Sequence, residues 1–574
     1  MFYAHSVNDR PEAEWELLPD HLQAVATLAA CLAAKFGLEA HGQAAGWLHD
    51  IGKYSVAFQE KLRRQRNDET GIGHALAGAL EALRRYGVDG GGLLAYAIAG
   101  HHAGLANGAG PENADLIQRL QQKPDPGWQR GLPALALPPL EALHAEFEAF
   151  MAPERFADGA TPQERVYARG FLGRMLFSAL VDADFLATEQ FLNQDKALAR
   201  QVEQARPDRL AAVLAAHLDA KPLAAPIDHQ RRTVLTACRA MGRDPAHKPG
   251  VYTLAVPTGG GKTLSSLSFA LEHAATHGLD RVIYAIPFTA ITDQTAAAFR
   301  DALGADAVLE HTGTADIGAM GSDEPIGPNR MALATENWDA PVVVTTTVQL
   351  FQSLHAARPS RCRKLHNLAR SVIVLDEVQA LPVTALAPCL AALRELASRY
   401  GSTVVLMSAT LPVLDQEAAP LQVRLPPATP ILPPGALDPQ VFRRVEAQLI
   451  GTLDDAAVAD RMAAQHQVLT IVETISQARA IYAQLPVVGR YHLSAAMTPA
   501  HRTATLATIR RALRAGQPCR MTATRAIRYR AFSMPPSPMR CCGCRHSRLG
   551  PHHDPSSAEA VLRQPGWPAG RTAC

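Results

Sequence analysis

Apolar residues recur every three or four positions through most of residues 14–200, a spacing that is typical of amphipathic helices. Four stretches carry this pattern: LPDHLQAVATLAACLAAKFG, HGQAAGWLHDIGKYSVAFQEKL, GHALAGALEALRRYG and RGFLGRMLFSALVDADFLATEQFL. A stretch from Asn107 to Gln163 interrupts it with proline and glycine, which predicts an excursion between helices. We therefore expect an all-helical domain over residues 1–220.

Beyond residue 220 the pattern changes to short β-rich runs that alternate with alanine-rich helical stretches. The runs are VYTLAV, RVIYAI, PVVVTTT, SVIVLDE and TVVLMSA, and they predict a parallel α/β sheet over residues 221–435. A shorter set that begins with HQVLTIVET predicts part of another α/β domain over residues 436–520. The predicted fold class is multidomain: an all-α domain followed by α/β domains, the second of them incomplete.

The last stretch, residues 521–574, has neither a helical nor a strand period. It holds eight arginines, seven prolines, four cysteines and no lysine. Because a GC-rich gene read out of frame gives this composition, we expect an aberrant, disordered tail and hypothesise a frameshift near Arg520. The run CCGC at 541–544 is not interpreted as a metal site, since no paired cluster at zinc spacing accompanies it.

Composition places few limits on function. The 574 residues are 47% hydrophobic and 19% charged, which is ordinary for a folded globular protein. A net charge of +2 gives no global attraction to a polyanion, so any nucleic-acid site must be local. The chain shows no signal peptide and no apolar run long enough to span a membrane, and its nine cysteines are sparse. We expect a cytoplasmic protein without a membrane partner.

A phosphate-binding loop is predicted at VPTGGGKT, residues 256–263, because it follows a strand and precedes a helix. Glycine N–H groups close around phosphate oxygens in such a loop, the lysine reaches the β- and γ-phosphates, and the threonine hydroxyl ligates magnesium. The strand SVIVLDEVQ supplies Asp376 for magnesium and Glu377 for orienting or deprotonating the attacking water. The predicted ATP and Mg²⁺ residues are Thr258, Gly259, Gly260, Gly261, Lys262, Thr263, Asp376 and Glu377.

Three further motifs resemble those of superfamily 2 helicases, over about residues 227–520. Ser408, Ala409 and Thr410 form the tripeptide that couples hydrolysis to strand movement in that superfamily. The stretches at 285–296 and 342–354 resemble its DNA-contacting motifs. The resemblance implies RecA-like helicase domains whose backbone amides and threonine hydroxyls grip one strand largely independently of sequence.

Histidines and aspartates recur on successive segments of the helical domain, in an order that resembles the HD superfamily of metal-dependent phosphohydrolases. They are His21, His49, Asp50, His74, His101, His102, Asp182 and Asp184. Mixed imidazole and carboxylate ligands suit Mn, Fe, Co or Ni, which would activate water against a phosphoester. His5 and His41 are expected to be surface residues.

The resemblance assigns roles within this cluster. His49, Asp50 and the last aspartate would bind a first metal, while His21, His74, His101 and His102 would complete it or hold a second. Asp184 is favoured over Asp182 because the family's last aspartate tends to follow alanine. Lys53, one turn beyond His49, would stabilise charge on the scissile phosphate. His49, Asp50, Lys53 and Glu377 are the predicted catalytic residues.

Together the motifs resemble the helicase-nuclease family of type I CRISPR interference. The resemblance implies that an RNA-guided surveillance complex recruits the enzyme, ATP drives 3′–5′ translocation, and the HD domain cuts single-stranded DNA. Two later motifs of that family, one of which carries its arginine finger, do not follow Arg520, so we expect ATP binding with severely impaired hydrolysis. Two alternatives stay open: a nucleotide phosphohydrolase with a regulatory P-loop domain, or an inactive product of a damaged gene.

Overall fold

The computed structural model describes residues 1–524 except positions 8, 65–73, 108–115, 157–159, 288, 313–329, 413, 415–422, 444, 447 and 495. The tail is predicted to begin at residue 521, and its part from 525 onward lies outside the described residues. The chain divides into two compact units, the first spanning Met1–Phe442 and the second beginning at Arg443. Among the described helices, none combines the length and apolar character that crossing a membrane requires.

The first 243 residues are helical, apart from a two-stranded antiparallel sheet of β1 (Tyr3–His5) and β2 (Glu16–Leu17). The helices are α1 (Leu18–Ala34), α2 (Glu39–Leu48), α3 (Val56–Arg64), α4 (His74–Gly100), α5 (Leu116–Leu120), α6 (Leu140–Phe150), α7 (Pro162–Leu192), α8 (Gln194–Arg200), α9 (Pro207–Asp219) and α10 (Pro226–Arg243). Short 3₁₀ helices occupy Glu12–Glu14, Ile51–Tyr54, Trp128–Ala134 and Pro153–Arg155.

Helix α7 is the longest of these and forms the spine of the helical part. It begins with a capping box in which the Thr161 side chain accepts from Glu164 N–H and the Glu164 carboxylate accepts from Thr161 N–H. The predicted excursion at 107–163 is partly helical, because α6 buries Leu143 and Phe150 in the same core as α7. The proline-rich stretch therefore contains an amphipathic helix, α6, that packs into the core of the helical part.

The following α/β part of the first unit is built on a seven-stranded parallel sheet with strand order β5-β6-β4-β7-β8-β3-β9. Its strands are β3 (Val251–Ala255), β4 (Arg281–Ile286), β5 (Val308–His311), β6 (Val342–Thr346), β7 (Ser371–Asp376), β8 (Thr403–Ser408) and β9 (Thr429–Pro430). The helices that follow α10 here are α11 (Lys262–His277), α12 (Thr289–Leu303), α13 (Arg330–Asn337), α14 (Thr347–Leu354), α15 (Pro359–Cys362) and α16 (Leu386–Arg399). Further 3₁₀ helices are Ala305–Ala307, Leu365–Leu368, Val378–Ala380 and Val383–Ala385.

The two faces of this sheet enter different cores. Alternate strand residues such as Ile283, Val343 and Ile373 join the core of the helical part. The neighbouring residues Val282 and Val372 join a second core with α9, α10 and α11. Helix α9 belongs to this second core through its leucines at four-residue spacing, although it precedes the predicted boundary at residue 220.

The second unit holds a three-stranded parallel sheet of β10 (Gln467–Val472), β11 (Arg490–Leu493) and β12 (Cys519–Thr524), in the order β10-β12-β11. Helices α17 (Asp455–Ala463), α18 (Ile475–Gln484) and α19 (Pro499–Arg514) accompany it. Strand β12 runs to Thr524, four residues beyond the predicted boundary at 520, because its buried side chains continue the pairing with β10 through Val472.

Candidate functional site

Six segments of the helical part converge on one buried point. His21 lies on α1, His49 ends α2, and Asp50 precedes the 3₁₀ turn Ile51–Tyr54. His74 begins α4, His101 and His102 follow it, and Asp184 lies on α7. Helices α1 and α2 approach closely because residue 46 is glycine: a Cβ there would lie 2.4 Å from Ala26 Cα. This contact lies about one turn from both His21 and His49.

A first group of donors surrounds Asp184. Its Oδ1 lies 3.5 Å from His21 Nε2 and 3.7 Å from His49 Nε2. The Oδ2 of Asp50 is 3.4 Å from His49 Nε2 and 3.8 Å from His21 Nε2. These distances leave room for one cation among the two imidazoles and two carboxylates.

A second group surrounds the other oxygen of Asp50. Its Oδ1 lies 3.2 Å from His101 Nε2, 3.3 Å from His74 Nε2 and 3.9 Å from His102 Nε2. His101 is buried, whereas half of the His102 side chain is exposed. The Asp50 carboxylate therefore stands between two ligand groups, the arrangement that a bridging ligand of a two-metal site needs.

The imidazole rings of His49 and His101 are oriented by hydrogen bonds to the backbone. The Nδ1 atoms of His49 and His101 each lie 2.7 Å from a backbone carbonyl, of Gly46 and Ile98 respectively. Since Nδ1–H donates to the carbonyl, Nε2 faces the cluster as the metal-binding atom. Among the described residues, neither Nε2 of His21 nor Nε2 of His49 has a hydrogen-bond partner, although both are buried. Orphaned buried nitrogens beside carboxylates fit a site completed by a cation.

The electrostatics favour anionic carboxylates. Burial alone would raise the pKa of Asp50, but the positive charges of Lys53 and His49 hold it well below its ordinary value. Lys53 Nζ lies 2.6 Å from Asp50 Oδ2 and donates to the carbonyl of Ala4. Burial lowers the pKa of His49, yet Asp50 and Asp184 outweigh this effect and raise it to about 10. The two carboxylates therefore favour the protonated form of His49.

Glu16 is a residue that the sequence analysis missed. Its Oε2 lies 2.6 Å from His5 Nδ1, and its Oε1 lies 3.3 Å from His21 Nδ1. Burial would raise the pKa of Glu16, but hydrogen bonds from His21 and His5 lower it to about 2. Glu16 thus orients a predicted ligand from outside the cluster. No motif marks it, because only the pairing of β1 with β2 brings it there.

The expectation that His5 and His41 are surface residues is wrong. His5 is half-buried against Glu16, for the reason just given. His41 is almost fully buried, and its Nδ1 lies 2.7 Å from Glu146 Oε2. The Glu146 carboxylate also accepts from the backbone N–H groups of Ala40 and His41 at the start of α2. His41 therefore helps to fix α2 and takes no part in the cluster.

The structure separates the two late aspartates. Asp184 faces the cluster, as described above. Asp182 is fully buried on another side of α7, where it accepts from Arg363 Nε at 2.7 Å and from Asn337 Nδ2 at 3.1 Å. Burial raises the pKa of Asp182, against the opposing attraction of Arg363. Of the two aspartates, Asp184 is therefore the one that lies beside His21 and His49.

The phosphate loop joins β3 to α11 at the carboxyl edge of the seven-stranded sheet. Thr258 lies in the loop, α11 begins at Lys262, and Thr263 follows within its first turn. Gly259 and Gly261 have φ of 87° and 82°, a conformation that side chains other than glycine rarely adopt. Arg231, which the sequence analysis missed, donates from Nε to the carbonyl of Gly259 at 2.9 Å. The loop is thereby tied to α10.

The predicted magnesium and water-orienting residues lie opposite this loop, at the end of β7. Lys262 Nζ is 3.0 Å from Asp376 Oδ1 and is also bonded to Glu377 Oε1. Glu377 adopts a left-handed conformation, with φ of 49°, and its N–H donates to Asp376 Oδ1. Burial raises the pKa of Asp376, opposed by the charge of Lys262. The positive charge of Lys262 is thus balanced by these carboxylates.

The coupling tripeptide follows β8, which lies between β3 and β7 in the sheet. Ser408 Oγ accepts from the Thr410 N–H and donates to the Thr410 carbonyl, both at 2.9 Å, which closes a tight turn around Ala409. The DNA-contacting candidates end β4 and β6 at the same sheet edge, where Thr346 caps α14 by accepting from Gln349 N–H. The structure thus brings all these predicted motifs to one edge.

Two family matches cover much of the first unit. Residues 19–138 match the HD domain and residues 228–418 match the DEAD/DEAH box helicase. The CRISPR-associated nuclease/helicase Cas3 of Haloferax volcanii is 30% identical over 192 residues, covering 29% of this chain and 20% of that protein. The match thus spans about a fifth of the length of this curated relative.

Solved structures extend the likeness across most of the chain. The crystal structure of T. fusca Cas3-AMPPNP has a TM-score of 0.62 at 19% identity, covering 92% of this chain and 69% of that one. A chain of a CRISPR RNA-guided surveillance complex, pre-nicking, has a TM-score of 0.50 at 19% identity and covers 92% of this chain and 68% of that one. The predicted multidomain fold class, helical domain first and parallel α/β sheet second, is confirmed.

Proposed function

The chain joins an HD domain to a DEAD/DEAH box helicase domain, as Cas3-type helicase-nucleases do, and from this premise we propose that it hydrolyses phosphodiester bonds of single-stranded DNA in its HD domain. The observation that carries the proposal is the convergence of five histidines and two aspartates from separate segments, in which the buried Nε2 atoms of His21 and His49 face carboxylates without a hydrogen-bond partner among the described residues. We further propose that ATP drives 3′–5′ movement of the strand.

Each residue of the cluster has a part in this proposal. His21, His49, Asp50 and Asp184 would hold one divalent metal ion, and His74, His101 and His102 would hold a second together with Asp50. When bound, such ions supply Lewis acidity and an activated water. Lys53 contacts the Asp50 carboxylate and would add positive charge beside the substrate phosphate. Manganese, iron, cobalt and nickel all suit these donors.

The helicase part is proposed to bind ATP with Mg²⁺ at the loop of residues 258–263. Phosphate oxygens would take Lys262 from its present carboxylate partners, which frees Asp376 for magnesium and Glu377 for the attacking water. Ser408, Ala409 and Thr410 would then sense the change at the neighbouring strand end. We propose slow ATP turnover for residues 1–574, because the family's arginine motif does not occur in them.

The comparisons also support proposals about surroundings. One structural neighbour is a chain of an RNA-guided surveillance complex, so we propose such a complex as the partner that delivers DNA. We propose that the DNA cleavage takes place in the cytoplasm, where target DNA and ATP are both present.

The proposal is tested by incubating purified chain with circular single-stranded DNA and Mn²⁺, Co²⁺ or Ni²⁺, with and without ATP. We expect cutting that Asp50→Ala abolishes and that Asp89→Ala, an exposed aspartate on α4, leaves unchanged. No DNA cutting by the folded chain with any metal would overturn the proposal. Hydrolysis of nucleotides would then favour the nucleotide phosphohydrolase, and no hydrolysis of either would favour the inactive product.

A further inference from the structure

A short segment of the α/β part, residues 356–367, is laid against the helical part; we name it the docking segment. It follows the DNA-contacting candidate helix α14 and leads into β7, which ends at Asp376. Its Ala357 carbonyl accepts from Leu105 N–H at 2.9 Å, shortly after His101 and His102. The docking segment therefore contacts the helical part three residues after His102 and leads along the chain to Asp376.

Its main partner is one face of α7. Three residues of that helix, spaced four apart, bond to it: Arg174 donates to the Ala356 carbonyl, Ser178 Oγ donates to the Cys362 carbonyl at 2.6 Å, and Asp182 accepts from Arg363. The His366 N–H in turn donates to Ser178 Oγ at 3.0 Å. Residues four apart lie above one another on a helix, so these bonds form a single row.

Asp182 is the residue of this row whose carboxylate accepts hydrogen bonds at both oxygens. Both of its oxygens are used by residues of the α/β part, Oδ1 by Arg363 and Oδ2 by Asn337. A second nitrogen of Arg363 donates to Glu336 Oε2 at 2.8 Å, and its guanidinium lies over the Phe185 ring at 4.6 Å. The planar guanidinium thus fixes Asp182 in direction as well as distance.

The predicted ligand Asp184 lies only two residues further along α7. Two residues turn an α-helix by about 200°, so Asp184 leaves the opposite side of the helix at nearly the same height. There it faces His21 and His49. A rotation of α7 by about 20° would move a side-chain tip, about 5 Å from the axis, through about 2 Å. Such a shift would take a carboxylate out of a metal-binding position.

We propose that Arg363 is a positioning residue for the metal centre: its ion pair with Asp182 sets the rotation of α7 and so keeps Asp184 within reach of the metal-binding histidines. The inference rests on the proposed function, because it takes Asp184 to be a ligand. In this inference a residue of the α/β part, Arg363, positions a ligand of the metal site without contacting the metal ion itself.

The test measures Mn²⁺ binding to the full chain by electron paramagnetic resonance. Arg363→Met is expected to weaken Mn²⁺ binding about tenfold, as loss of a residue that orients a ligand commonly does. The matched control is Arg394→Gln, which breaks the ion pair of Arg394 with Glu164, also between α7 and the α/β part. Glu164 lies about 30 Å along the helix from Asp184. We expect the control to bind Mn²⁺ within twofold of the unaltered chain.

Because Arg363→Met leaves a buried carboxylate unpaired, a double variant guards against misfolding. Asp182→Asn with Arg363→Met removes that charge, and we expect a folded protein whose Mn²⁺ binding is still about tenfold weaker. Arg363→Lys, which keeps a cation for Asp182, is expected to bind Mn²⁺ more tightly than Arg363→Met.

The outcomes separate this inference from the proposed function. Full Mn²⁺ affinity in the double variant, or an equal loss in Arg394→Gln, would overturn the positioning role. Asp184→Asn serves as the reference and should weaken Mn²⁺ binding by itself. If Asp184→Asn binds Mn²⁺ as tightly as the unaltered chain, the proposed ligand assignment fails and the positioning role falls with it.

Discussion

The two candidate sites of the first unit balance their charges in different ways. At the phosphate loop, Lys262 is paired with Asp376 and Glu377, so its positive charge is balanced by residues of the site itself. At the histidine cluster, buried Nε2 atoms of His21 and His49 point at carboxylates without a hydrogen-bond partner among the described residues. In the proposed function, the first site exchanges these partners when nucleotide binds, and the second site is completed by a cation.

The largest expected effect comes from removing the carboxylate that both ligand groups share. Asp50→Ala takes a donor from each proposed metal at once, so we expect DNA cleavage to fall about a thousandfold or more. ATP binding, measured by fluorescence of a nucleotide analogue, should stay within twofold. A comparable loss of ATP binding would mean that the two sites are not separate chemical centres.

The converse variant removes the positively charged lysine side chain of the phosphate loop. Lys262→Ala should weaken ATP binding about a hundredfold, since charge-assisted bonds to the phosphates are lost. Its Mn²⁺-dependent cutting of single-stranded DNA without ATP should remain within twofold, measured on the same circular substrate. Loss of ATP-independent cutting in a folded Lys262→Ala protein would contradict the division between the sites.

A smaller effect on Mn²⁺ affinity is expected at Glu16, which contacts His21 from outside the histidine cluster. Glu16→Gln removes the negative charge that orients His21, and we expect Mn²⁺ affinity to fall about tenfold. Glu14→Gln is the matched control, because Glu14 is exposed two residues away and bonds to Arg10. Titration calorimetry with Mn²⁺ distinguishes the two variants, and equal affinities would show that Glu16 has no orienting role.

The smallest expected effect lies between the two sites, at Lys35, whose Nζ donates to Asn367 of the docking segment at 2.6 Å. Burial and the neighbouring Arg281 lower the pKa of Lys35 to about 8. Between pH 8 and the ordinary lysine value, the unfolded chain binds a proton that the folded chain does not, so this residue makes stability rise with pH.

Lys35→Met should flatten that rise, which urea unfolding at pH 8 and pH 10 measures. Lys221→Met, at an exposed lysine, provides the control and should behave as the unaltered chain does. An identical pH dependence in Lys35→Met would show that the buried ammonium does not contribute.

The sequence was most informative where a site is contiguous. The phosphate loop and the Asp376–Glu377 pair could be placed residue by residue, because strand, turn and helix fix their geometry locally. The histidine cluster was readable only as an order of residue types along successive helices. Glu16 and Arg363 carry no such signal, since only the β1–β2 pairing and the packing of the docking segment on α7 give them their partners.

Errors arose for the same reason. His41 was expected at the surface because an isolated histidine carries no partner in its own sequence, whereas Glu146 lies more than a hundred residues away. Likewise α9 fell within the helical domain through the predicted boundary at residue 220, although its leucines pack under the sheet. Periodicity predicts that a helix has an apolar face, but it does not predict which core receives that face.

One face of the seven-stranded sheet shares its hydrophobic core with the helical domain, and this limits how separable the two are. Producing the helical part alone would expose the apolar surface that Ile283, Val343 and Ile373 now cover. We expect residues 1–442 to melt in a single cooperative transition rather than two. Exchanging the helical part for another would therefore require redesigning the sheet face that now packs against it.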